Sequence, residues 1–581
     1  MGAVRGATPL GREGDSTTTP QDLRVPSARR ATYLFVVVAL VAFIVLFAAG
    51  RHGTFYHDEW HLANMQGLGS FDDWMRPWHV HWVLVPTITW RAIFVVVGFA
   101  SYLPYLAVLV ILHLIAAAGL FTLVRRASGD ALALCTVTVF LFLGSAWQNL
   151  FWAFQYSFVI STASGLWAMV AFQGHQRRAR ALGAGLVMVS LASSGMGVPF
   201  ALALGVELLA DPRRRRAIGW LIPPAVAFLI WYIVWGRSGV ATPPPAGSNV
   251  LGTVASFVVF GPVSYIHALL GIGMPGEGIL AIGAAVTVAA LAFRRSLPPP
   301  AFGAVAGLVV LLAMIALGRG VFGVGTTGQP RYVYEGVVFV LLLASSLVGR
   351  RAAHKPSTRG ETVLATAIAT ITIVALARNL PILQASGTFV DAAGELRAVI
   401  ALTARYGAER LDAPIPPGDR FVIPPPIELE RMMAAHGRLD TDRFRPSLVV
   451  PPTPEQRDRA LWRVLGGTVR PTVSTAPSPV PLPTLLEAHD VTISGRCLTV
   501  APLGSVTMEL AAGRSVALRG PGRWVIGLGH EVDPQQTSVL NADIGDSWQR
   551  IAVPGIGAET PYRLLLRSLS STPATVCAAP D

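Results

Sequence analysis

The stretch ATYLFVVVALVAFIVLFAAGRHGTFYHDEWH, residues 31–61, decides the fold class of this chain. Its first 20 residues carry no charged side chain, and about 20 apolar residues are what an α-helix needs to cross a bilayer. A short link then leads to the cluster HDEWH at 57–61. Ionisable groups are costly to hold beside lipid, so a dense group of them where a helix leaves the membrane indicates a functional site.

The composition agrees with a membrane protein that crosses the bilayer many times. Of the 581 residues 52% are hydrophobic and only 14% are charged. The net charge of +13 comes from short arginine runs between apolar segments, a pattern typical of cytoplasmic loops and not of a nucleic-acid surface, so no nucleic-acid partner is expected. These runs are Arg125 and Arg126; Arg177, Arg178 and Arg180; Arg213 to Arg216; Arg294 and Arg295; and Arg350 and Arg351.

Placing every arginine run in the cytoplasm predicts about eleven spans, with the amino terminus inside and the carboxyl terminus outside. The spans are expected near 31–50, 103–124, 131–146, 154–172, 182–195, 196–210, 217–236, 278–293, 301–318, 335–349 and 361–379. Two further apolar stretches, 82–99 and 251–272, would place arginine runs outside if they crossed. We therefore predict that both lie in the outer interface or dip partly into the bilayer.

The remaining segments are predicted from composition and pattern. The polar composition of residues 1–30 predicts a disordered cytoplasmic tail. The pattern of residues 381–486 predicts a helix followed by a proline-rich extracytoplasmic connector. Residues 487–581 alternate apolar and polar residues in short runs, as in a β-sandwich or jelly roll. Cys497 and Cys577 bracket that region, and an extracytoplasmic location favours a disulfide between them, with two free thiols as the alternative.

The acidic pair Asp58 and Glu59 is the leading candidate for chemistry. Consecutive side chains diverge, so one carboxylate can act as a general base while the other orients a partner. Trp60 and His61 adjoin the pair and point to a pocket that also binds sugar. The structural alternative is that the two acids solvate the end of the first span and pair with a nearby arginine.

Histidines and aromatic residues supply further candidates. His79 and His81 in RPWHVHW can contact a phosphate, whereas a structural zinc is rejected because no cysteine or HExxH pattern accompanies them. The segment SAWQNLFWAFQYS at 145–157 combines amides with aromatic rings, as a sugar site would, although an aromatic belt at the interface has the same composition. Its candidate sugar-binding residues are Trp147, Gln148, Asn149, Trp152 and Gln155.

The segment TTGQPRYVYEG at 326–336 offers a site for an anion. Arg331 can bind an anionic headgroup through two parallel hydrogen bonds, with Tyr332 beside it, and ordinary interface residues are the alternative.

The order of these motifs resembles that of the GT-C superfamily of polytopic glycosyltransferases, which includes protein mannosyltransferases, the aminoarabinose transferase of lipid A and actinobacterial arabinosyltransferases. The acidic pair in HDEWH at 57–61 is followed by RPWHVHWVLVP at 76–86, which lacks the Pro-Pro of the family motif. LASSGMGVPFALAL at 191–204 resembles the break between paired half-spans, and QPRYVYEGVVFVLLLA at 329–344 resembles the Arg-Tyr entry into a late span. The resemblance covers roughly residues 30–380, a GT-C-like transmembrane domain over 31–380.

This resemblance implies an inverting glycosyltransferase of the plasma membrane with its site and its carboxyl-terminal domain outside the cell. Asp58 is the expected base, Glu59 its orienting partner, and Arg331, Arg319 and a histidine at 79 or 81 the groups that stabilise the departing phosphate. The implied partners are a polyprenyl-phosphate sugar donor, a cell-envelope glycan or lipid acceptor and membrane lipid. A divalent cation (Mg²⁺, Mn²⁺ or Ca²⁺) near Asp58 is left open, as is glycan binding by the terminal domain. The alternative function is a flippase for lipid-linked sugars without transferase activity.

Overall fold

A computed structural model describes two folded parts of the chain, a helical part and a sheet. The described residues are 27–51, 53–55, 58–59, 62, 70–98, 101–239, 249–271, 297–352, 358–385, 398–399, 453–465, 471–473, 481–530, 534, 539–555 and 561–579. The helical part ends at residue 385 and the sheet begins at residue 472. The predicted tail 1–30 and connector 381–486 lie largely outside the described residues, and the assignment of their structure stays a prediction.

The helical part consists of apolar helices joined by short links. Its helices are α1 Ser27–Gly50, α2 Phe71–Met75, α3 Leu84–Val97, α4 Leu103–Ser128, α5 Asp130–Leu141, α6 Trp147–Phe151, α7 Tyr156–Phe172, α8 Arg177–Leu191, α9 Gly197–Ala210, α10 Ile222–Val234, α11 Val250–Leu270, α12 Pro299–Arg319, α13 Pro330–Ala352 and α14 Thr358–Ala385.

The chain is a multi-pass membrane protein. Among the described residues, seven helical segments are long and apolar enough to cross a bilayer, and an eighth is added if Asp130–Leu141 and Gly144–Phe151, bent by 46°, form one broken span. The prediction of a polytopic helical domain is therefore confirmed. The predicted number of eleven crossings is not confirmed, because several shorter helices fall below the length of a span.

The two stretches that conflicted with the arginine pattern form helices of different length. Leu84–Val97 has 14 residues, too few to cross a bilayer. Val250–Leu270, which we predicted to lie in the interface, is instead a 21-residue helix that is long and apolar enough to span the membrane. Its position relative to the membrane stays a prediction, and the neighbouring span predicted at 278–293 lies outside the described residues.

Close packing of small residues against aromatic rings holds the bundle together. A Cβ on Gly165 would lie 2.4 Å from Phe200 Cγ, and a Cβ on Gly307 would lie 2.3 Å from the ring of Phe339. Membrane helices lack a hydrophobic driving force toward one another, so such close approach supplies much of their attraction. The exposed faces of α1 and α10 carry Leu, Val and Ile side chains, which is what a lipid-facing surface requires.

In the described residues of the carboxyl-terminal part, nine strands form an antiparallel sheet, which confirms the predicted β-rich domain. The strands are β1 Thr472–Val473, β2 Thr484–Ser494, β3 Cys497–Leu510, β4 Ser515–Arg519, β5 Gly522–Gly529, β6 Val539–Ile544, β7 Gln549–Ala552, β8 Tyr562–Ser568 and β9 Ala574–Ala578. Their order is β1-β7-β4-β9-β3-β8-β5-β6, and β2 also pairs with β3. Helix α15, Pro454–Leu465, precedes the sheet.

Strand β3 joins the two halves of this sheet around one core. Its residues 497–500 pair with β9, while residues 505–510 pair with β8. Buried side chains from both halves, including Val516, Trp524 and Leu564, belong to a single cluster. Cys497 and Cys577 face each other across β3 and β9 and form a disulfide, as one of the two readings of the sequence expected.

Candidate active site

The link that follows α1 packs against the helical bundle before it reaches Asp58 and Glu59. Gly50 packs so closely that a Cβ there would lie 2.8 Å from Phe151. Phe55 is buried edge-on against Tyr102 and Tyr105, with ring centroids 5.3 and 5.2 Å apart. Aromatic pairs in this edge-to-face geometry attract beyond the area they bury. The residues that follow Phe55 are therefore held at a defined position at one end of the bundle.

Glu59 points into the protein rather than into open space. Its side chain is fully buried, and Oε1 accepts hydrogen bonds from the Tyr102 hydroxyl and from the backbone N–H of Phe154, each at 3.0 Å. The Tyr102 oxygen in turn accepts from the backbone N–H of Ala153 at 2.8 Å. The carboxylate thus ties the first link to the start of α4 and to the turn before α7.

Removing the Tyr102 hydroxyl tests this anchoring network. Tyr102→Phe takes a donor from a buried carboxylate and an acceptor from a buried backbone N–H, so the expected loss of stability is about 1–3 kcal/mol. Thermal unfolding of the purified protein in detergent measures it. Tyr232→Phe, at a half-exposed position on α10, is the matched control and should leave the unfolding temperature unchanged. Equal unfolding temperatures for both variants would refute the anchoring role.

Asp58, beside Glu59, lines a cavity of about 390 Å³ at the same end of the bundle. The neighbouring carboxylates therefore diverge, as consecutive side chains do. The described polar residues of the wall come from five separate parts of the chain: Asp58, His79, His81, Gln155, Ser157, Arg319, Arg331 and Tyr332. Apolar residues, among them Phe158, Met196 and Met314, complete it.

Two arginines from different helices bring positive charge to this cavity. Arg319 is the last residue of α12, and Arg331 lies in the first turn of α13. The Arg331 guanidinium stacks over the Tyr332 ring at 5.2 Å and donates from Nη2 to Gln329 Oε1 at 2.9 Å. Its Nε is buried and has no hydrogen-bond partner among the residues that the structure describes. A buried donor without a partner is costly, so this group is suited to an anionic ligand.

The two histidines lie in a tight turn that ends at the cavity. Trp78 and His81 exchange backbone hydrogen bonds of 3.0 and 2.9 Å, and His79 has a φ of 52° at the tip of this turn. His81 Nδ1 accepts a hydrogen bond from the backbone N–H of Gly195 at 3.2 Å. Burial, and then the charges of His79 and the two arginines, lower the pKa of His81 to about 4. The ring is neutral at pH 7, and its proton lies on Nε2 because Nδ1 is an acceptor.

Gly195 belongs to the break between α8 and α9, where the sequence predicted paired half-spans. A Cβ at this position would lie 2.6 Å from His81 Nδ1 and 3.2 Å from His81 Cε1. The helix break therefore brings a bare backbone N–H against the imidazole, which only glycine permits. The break at 192–196 and the histidine turn form one unit, although more than a hundred residues separate them in the sequence.

Gly195→Ala is expected to displace the His81 ring without unfolding the protein. The added methyl group occupies the space of Nδ1, so the hydrogen bond from residue 195 is lost and the imidazole leaves its place in the cavity wall. Nuclear magnetic resonance of imidazole-labelled protein should show a rise in the pKa of His81 toward its ordinary value. Gly185→Ala on α8 meets nothing within 4 Å and is the control. An unchanged His81 pKa in Gly195→Ala would contradict this account.

The aromatic and amide segment 145–157 is only partly brought to the cavity. Gln155 lines it, and its Oε1 has no hydrogen-bond partner among the described residues. Trp147, Gln148, Asn149 and Trp152 do not line it, and their assignment to sugar binding stays a prediction. The segment does not simply open a span: it forms α6, bends at Trp152 and makes a turn before α7 begins, so its side chains point in different directions.

The other predicted residues are placed as follows. Trp60 and His61 lie outside the described residues. Asp58, His79, His81, Gln155, Arg319, Arg331 and Tyr332 are brought together in the cavity wall. Among the described residues no three His, Cys, Asp or Glu side chains are grouped as metal ligands, so no described set supports the cation that was left open near Asp58.

Sequence reasoning missed several residues that shape the site. Tyr102 holds Glu59, Gly195 holds His81, and Glu335 is fully buried one helical turn from Arg331. Glu335 stands within the motif QPRYVYEG, where an acid four residues after an arginine in an apolar helix is a signal that could have been used. Tyr102 and Gly195 carry no such signal, because tyrosines at helix starts and glycines at helix breaks are common.

No family model and no curated protein matches this sequence. Among solved structures, the chain is similar to ArnT from Cupriavidus metallidurans bound to undecaprenyl phosphate, at 14% identity over 77% of this chain and 97% of that one, with a TM-score of 0.43. It is similar to the arabinosyltransferase EmbB from Mycobacterium smegmatis, at 13% identity over 97% of this chain and 66% of that one, with a TM-score of 0.36.

A third similarity is to the oligosaccharyltransferase of Archaeoglobus fulgidus in complex with Zn and sulfate, at 13% identity over 68% of this chain and 58% of that one, with a TM-score of 0.35. TM-scores below 0.5 are too low to carry functional conclusions, so the function rests on the cavity itself.

Proposed function

We propose that this chain is an inverting membrane glycosyltransferase that moves a sugar from a polyprenyl-phosphate donor to an acceptor hydroxyl on a cell-envelope glycan or lipid. The observation that carries the proposal is the single cavity that joins a carboxylate, Asp58, with two guanidinium groups and a neutral imidazole. These are the group types that activate a hydroxyl and stabilise a departing phosphate. A base alone or a basic patch alone would not indicate group transfer.

In the proposed reaction Asp58 is the general base. A sugar hydroxyl is a poor nucleophile at neutral pH, so it needs a group that takes its proton as the new bond forms. The acceptor oxygen attacks the anomeric carbon from the face opposite the phosphate, and the bond from that carbon to the phosphate oxygen breaks. The proton passes to Asp58, and the bonding electrons leave with the phosphate. Direct displacement of this kind inverts the anomeric configuration.

The positive groups are assigned to the phosphate. A departing phosphate is a stable anion and needs fixed donors more than a general acid. Arg331 offers its buried Nε, Arg319 adds a second charge, and His81 can donate from Nε2. Gln155 is assigned to a sugar hydroxyl because its buried Oε1 lacks a partner among the described residues. Glu59 holds the link that carries Asp58 and does not itself react.

The position of the cavity supports a donor that is held by lipid. The wall residues stand where apolar helices end: Arg319 at the end of α12, Arg331 at the start of α13 and Ser157 at the start of α7. A sugar attached to a polyprenyl phosphate is confined to this level of the membrane. We infer that this end of the bundle is extracytoplasmic, since the arginine runs Arg125–Arg126 and Arg213–Arg216 lie at the other end.

A flippase for lipid-linked sugars is the second candidate, and Glu335 is the observation that favours it. An acid that is fully buried in a membrane helix is the kind of residue that transporters use for coupling. Glu335 lies one turn from Arg331, near the cavity end of α13. On this reading the purified protein would move a labelled lipid across vesicles and transfer no sugar.

Purified protein in lipid nanodiscs distinguishes the candidates. We expect transfer of labelled sugar from a polyprenyl-phosphate donor, with an inverted anomeric configuration, and none from the matching nucleotide sugar. Vesicle assays with the same donor measure whether the lipid-linked sugar moves across the bilayer. Lipid movement without transfer would establish the flippase, and transfer from the nucleotide sugar alone would refute a lipid-linked donor.

A further inference from the structure

A second cavity of about 390 Å³ lies at the opposite end of the same helices. Four helices run from one cavity to the other, because each has one residue in the wall of the first cavity and another in the wall of the second. These pairs, with the residue of the first cavity given first, are Phe158 and Met169 for α7, Arg319 and Pro300 for α12, Arg331 and Ser345 for α13, and Met196, which precedes α9, and Glu207 for α9. At 1.5 Å of rise per residue, these pairs place the two cavities about 15–30 Å apart. The second cavity therefore lies near the other surface of the membrane.

The wall of this second cavity has an apolar part and a basic part. Leu123, Met169 and Leu342 come from the membrane-embedded stretches of three helices. The basic part comes from Arg126 at the end of α4 and from Arg213 and Arg214 after α9. An apolar wall that ends in guanidinium groups at the membrane surface has the chemistry of a lipid headgroup site.

Three guanidinium groups and two carboxylates line the described part of this cavity, and three positive charges less two negative ones leave a net charge of +1. Arg214 donates to Glu207 Oε1 at 2.9 Å and to Asp211 Oδ2 at 2.6 Å, so one guanidinium binds both carboxylates. Glu207 is buried and Arg214 nearly so, which makes this triad a fixed part of the wall. Arg126 and Arg213 remain as two further positive charges, and both side chains are exposed to an incoming group.

Two further features favour an anion at this place. Arg126 Nη1 donates to Gln173 Oε1 at 2.6 Å and to the Val170 carbonyl at 3.4 Å, which holds the guanidinium at the rim of the cavity. Helix α12 begins at Pro299, and Pro300 lines the cavity, so the positive end of the helix dipole points toward it. The positive charge of the wall and the dipole of α12 both favour a bound anion.

We infer that this second cavity binds a phosphate group, carried either by an anionic lipid headgroup or by a soluble phosphate compound. The site is separate from the proposed reaction, because it lies at the far end of the helices and none of its described residues lines the first cavity. Arg126 and Arg213 contact the phosphate. The backbone N–H of Arg213 donates to Asp211 Oδ1 at 3.0 Å, so the Arg214 triad fixes the turn that carries Arg213. The apolar wall receives the acyl chain when the ligand is a lipid.

The test measures binding to the full-length protein in two arms. One arm uses nanodiscs of phosphatidylcholine to which phosphatidylglycerol is added, with retained lipid counted by native mass spectrometry. The other arm adds inorganic phosphate to protein in phosphatidylcholine alone and follows the thermal unfolding temperature. The cavity variant Arg126→Gln/Arg213→Gln removes the two exposed guanidinium groups. This variant and the control variant described next are first checked for a monodisperse elution profile.

The control variant is Arg29→Gln/Arg30→Gln. Both arginines are exposed at the start of α1, at the same end of the bundle, since Arg125 Nη1 donates to Thr32 Oγ1 at 3.0 Å. It removes the same charge from the same membrane surface without touching the cavity.

The two arms give distinct outcomes. We expect the cavity variant to lose affinity for the phosphate ligand by roughly thirty-fold and the control to lose much less. Retention of phosphatidylglycerol identifies a lipid headgroup, and stabilisation by inorganic phosphate alone identifies a soluble ligand. Equal losses in the cavity and control variants, or no binding of either probe, would overturn the inference. None of these results depends on glycosyl transfer.

Discussion

Asp58→Asn should lower sugar transfer by roughly 10²–10⁴-fold while leaving donor binding nearly unchanged. The amide has almost the shape of the carboxylate but cannot accept the hydroxyl proton, so the loss falls on kcat more than on KM. Asp58 lines the cavity without being deeply buried, so the protein should fold and insert normally. Transfer of labelled sugar by purified protein in nanodiscs is the measurement.

Asp72→Asn is the matched control for this prediction. Asp72 accepts a hydrogen bond from Trp235 Nε1 at 2.9 Å and does not line the cavity, and an amide oxygen can accept the same bond. Its activity should stay close to that of the wild type. If Asp58→Asn transferred sugar at the wild-type rate, Asp58 would not be the base, and the proposed chemistry would lose its nucleophile-activating group.

Arg331→Gln is the second large effect and is expected to lower kcat/KM by roughly 10²–10³-fold. The substitution removes both the charge and the buried Nε–H, which in the proposed reaction donates to the departing phosphate. Arg331→Lys retains the charge but loses the planar pair of donors, so it should recover only part of the activity. Steady-state kinetics with a polyprenyl-phosphate sugar measure both variants.

Arg237→Gln serves as the control for the loss of charge. Arg237 is exposed after α10 and lies at the same end of the bundle, since the neighbouring Gly239 packs against the His79 backbone. A change in Arg237→Gln as large as that in Arg331→Gln would show that surface charge, and not a bound phosphate, accounts for the effect.

The helical fold could be predicted because its signal is local. Uninterrupted apolar stretches mark helices, and arginine runs mark the loops between them, so most helices of the bundle were expected near their positions. The exceptions depended on context. Val250–Leu270 was excluded as a span by an orientation argument, although its own length and composition suit a span. The β-rich domain was foreseen from alternation, but the branching of β3 was not.

The site could be predicted only in part, because its arrangement depends on contacts between distant segments. The divergence of Asp58 and Glu59 follows from backbone geometry, and it was expected. That Glu59 would be the buried member depends on donors 43 and 95 residues away, Tyr102 and Phe154. Trp147 and Trp152 looked equivalent to Gln155 in the sequence, yet the bend at residue 152 takes them away from the cavity.

The most direct test of the central claim is the reactivity of a single cysteine in the cavity wall. Val80→Cys in a Cys135→Ala background places one thiol there, since Cys497 and Cys577 are bonded to each other. His175→Cys places a reference thiol in the second cavity. A membrane-impermeant maleimide should label residue 80 in intact cells and residue 175 only after permeabilisation, and polyprenyl phosphate should protect residue 80. Labelling of residue 80 only after permeabilisation, or no protection by polyprenyl phosphate, would contradict an extracytoplasmic site for a lipid-linked sugar.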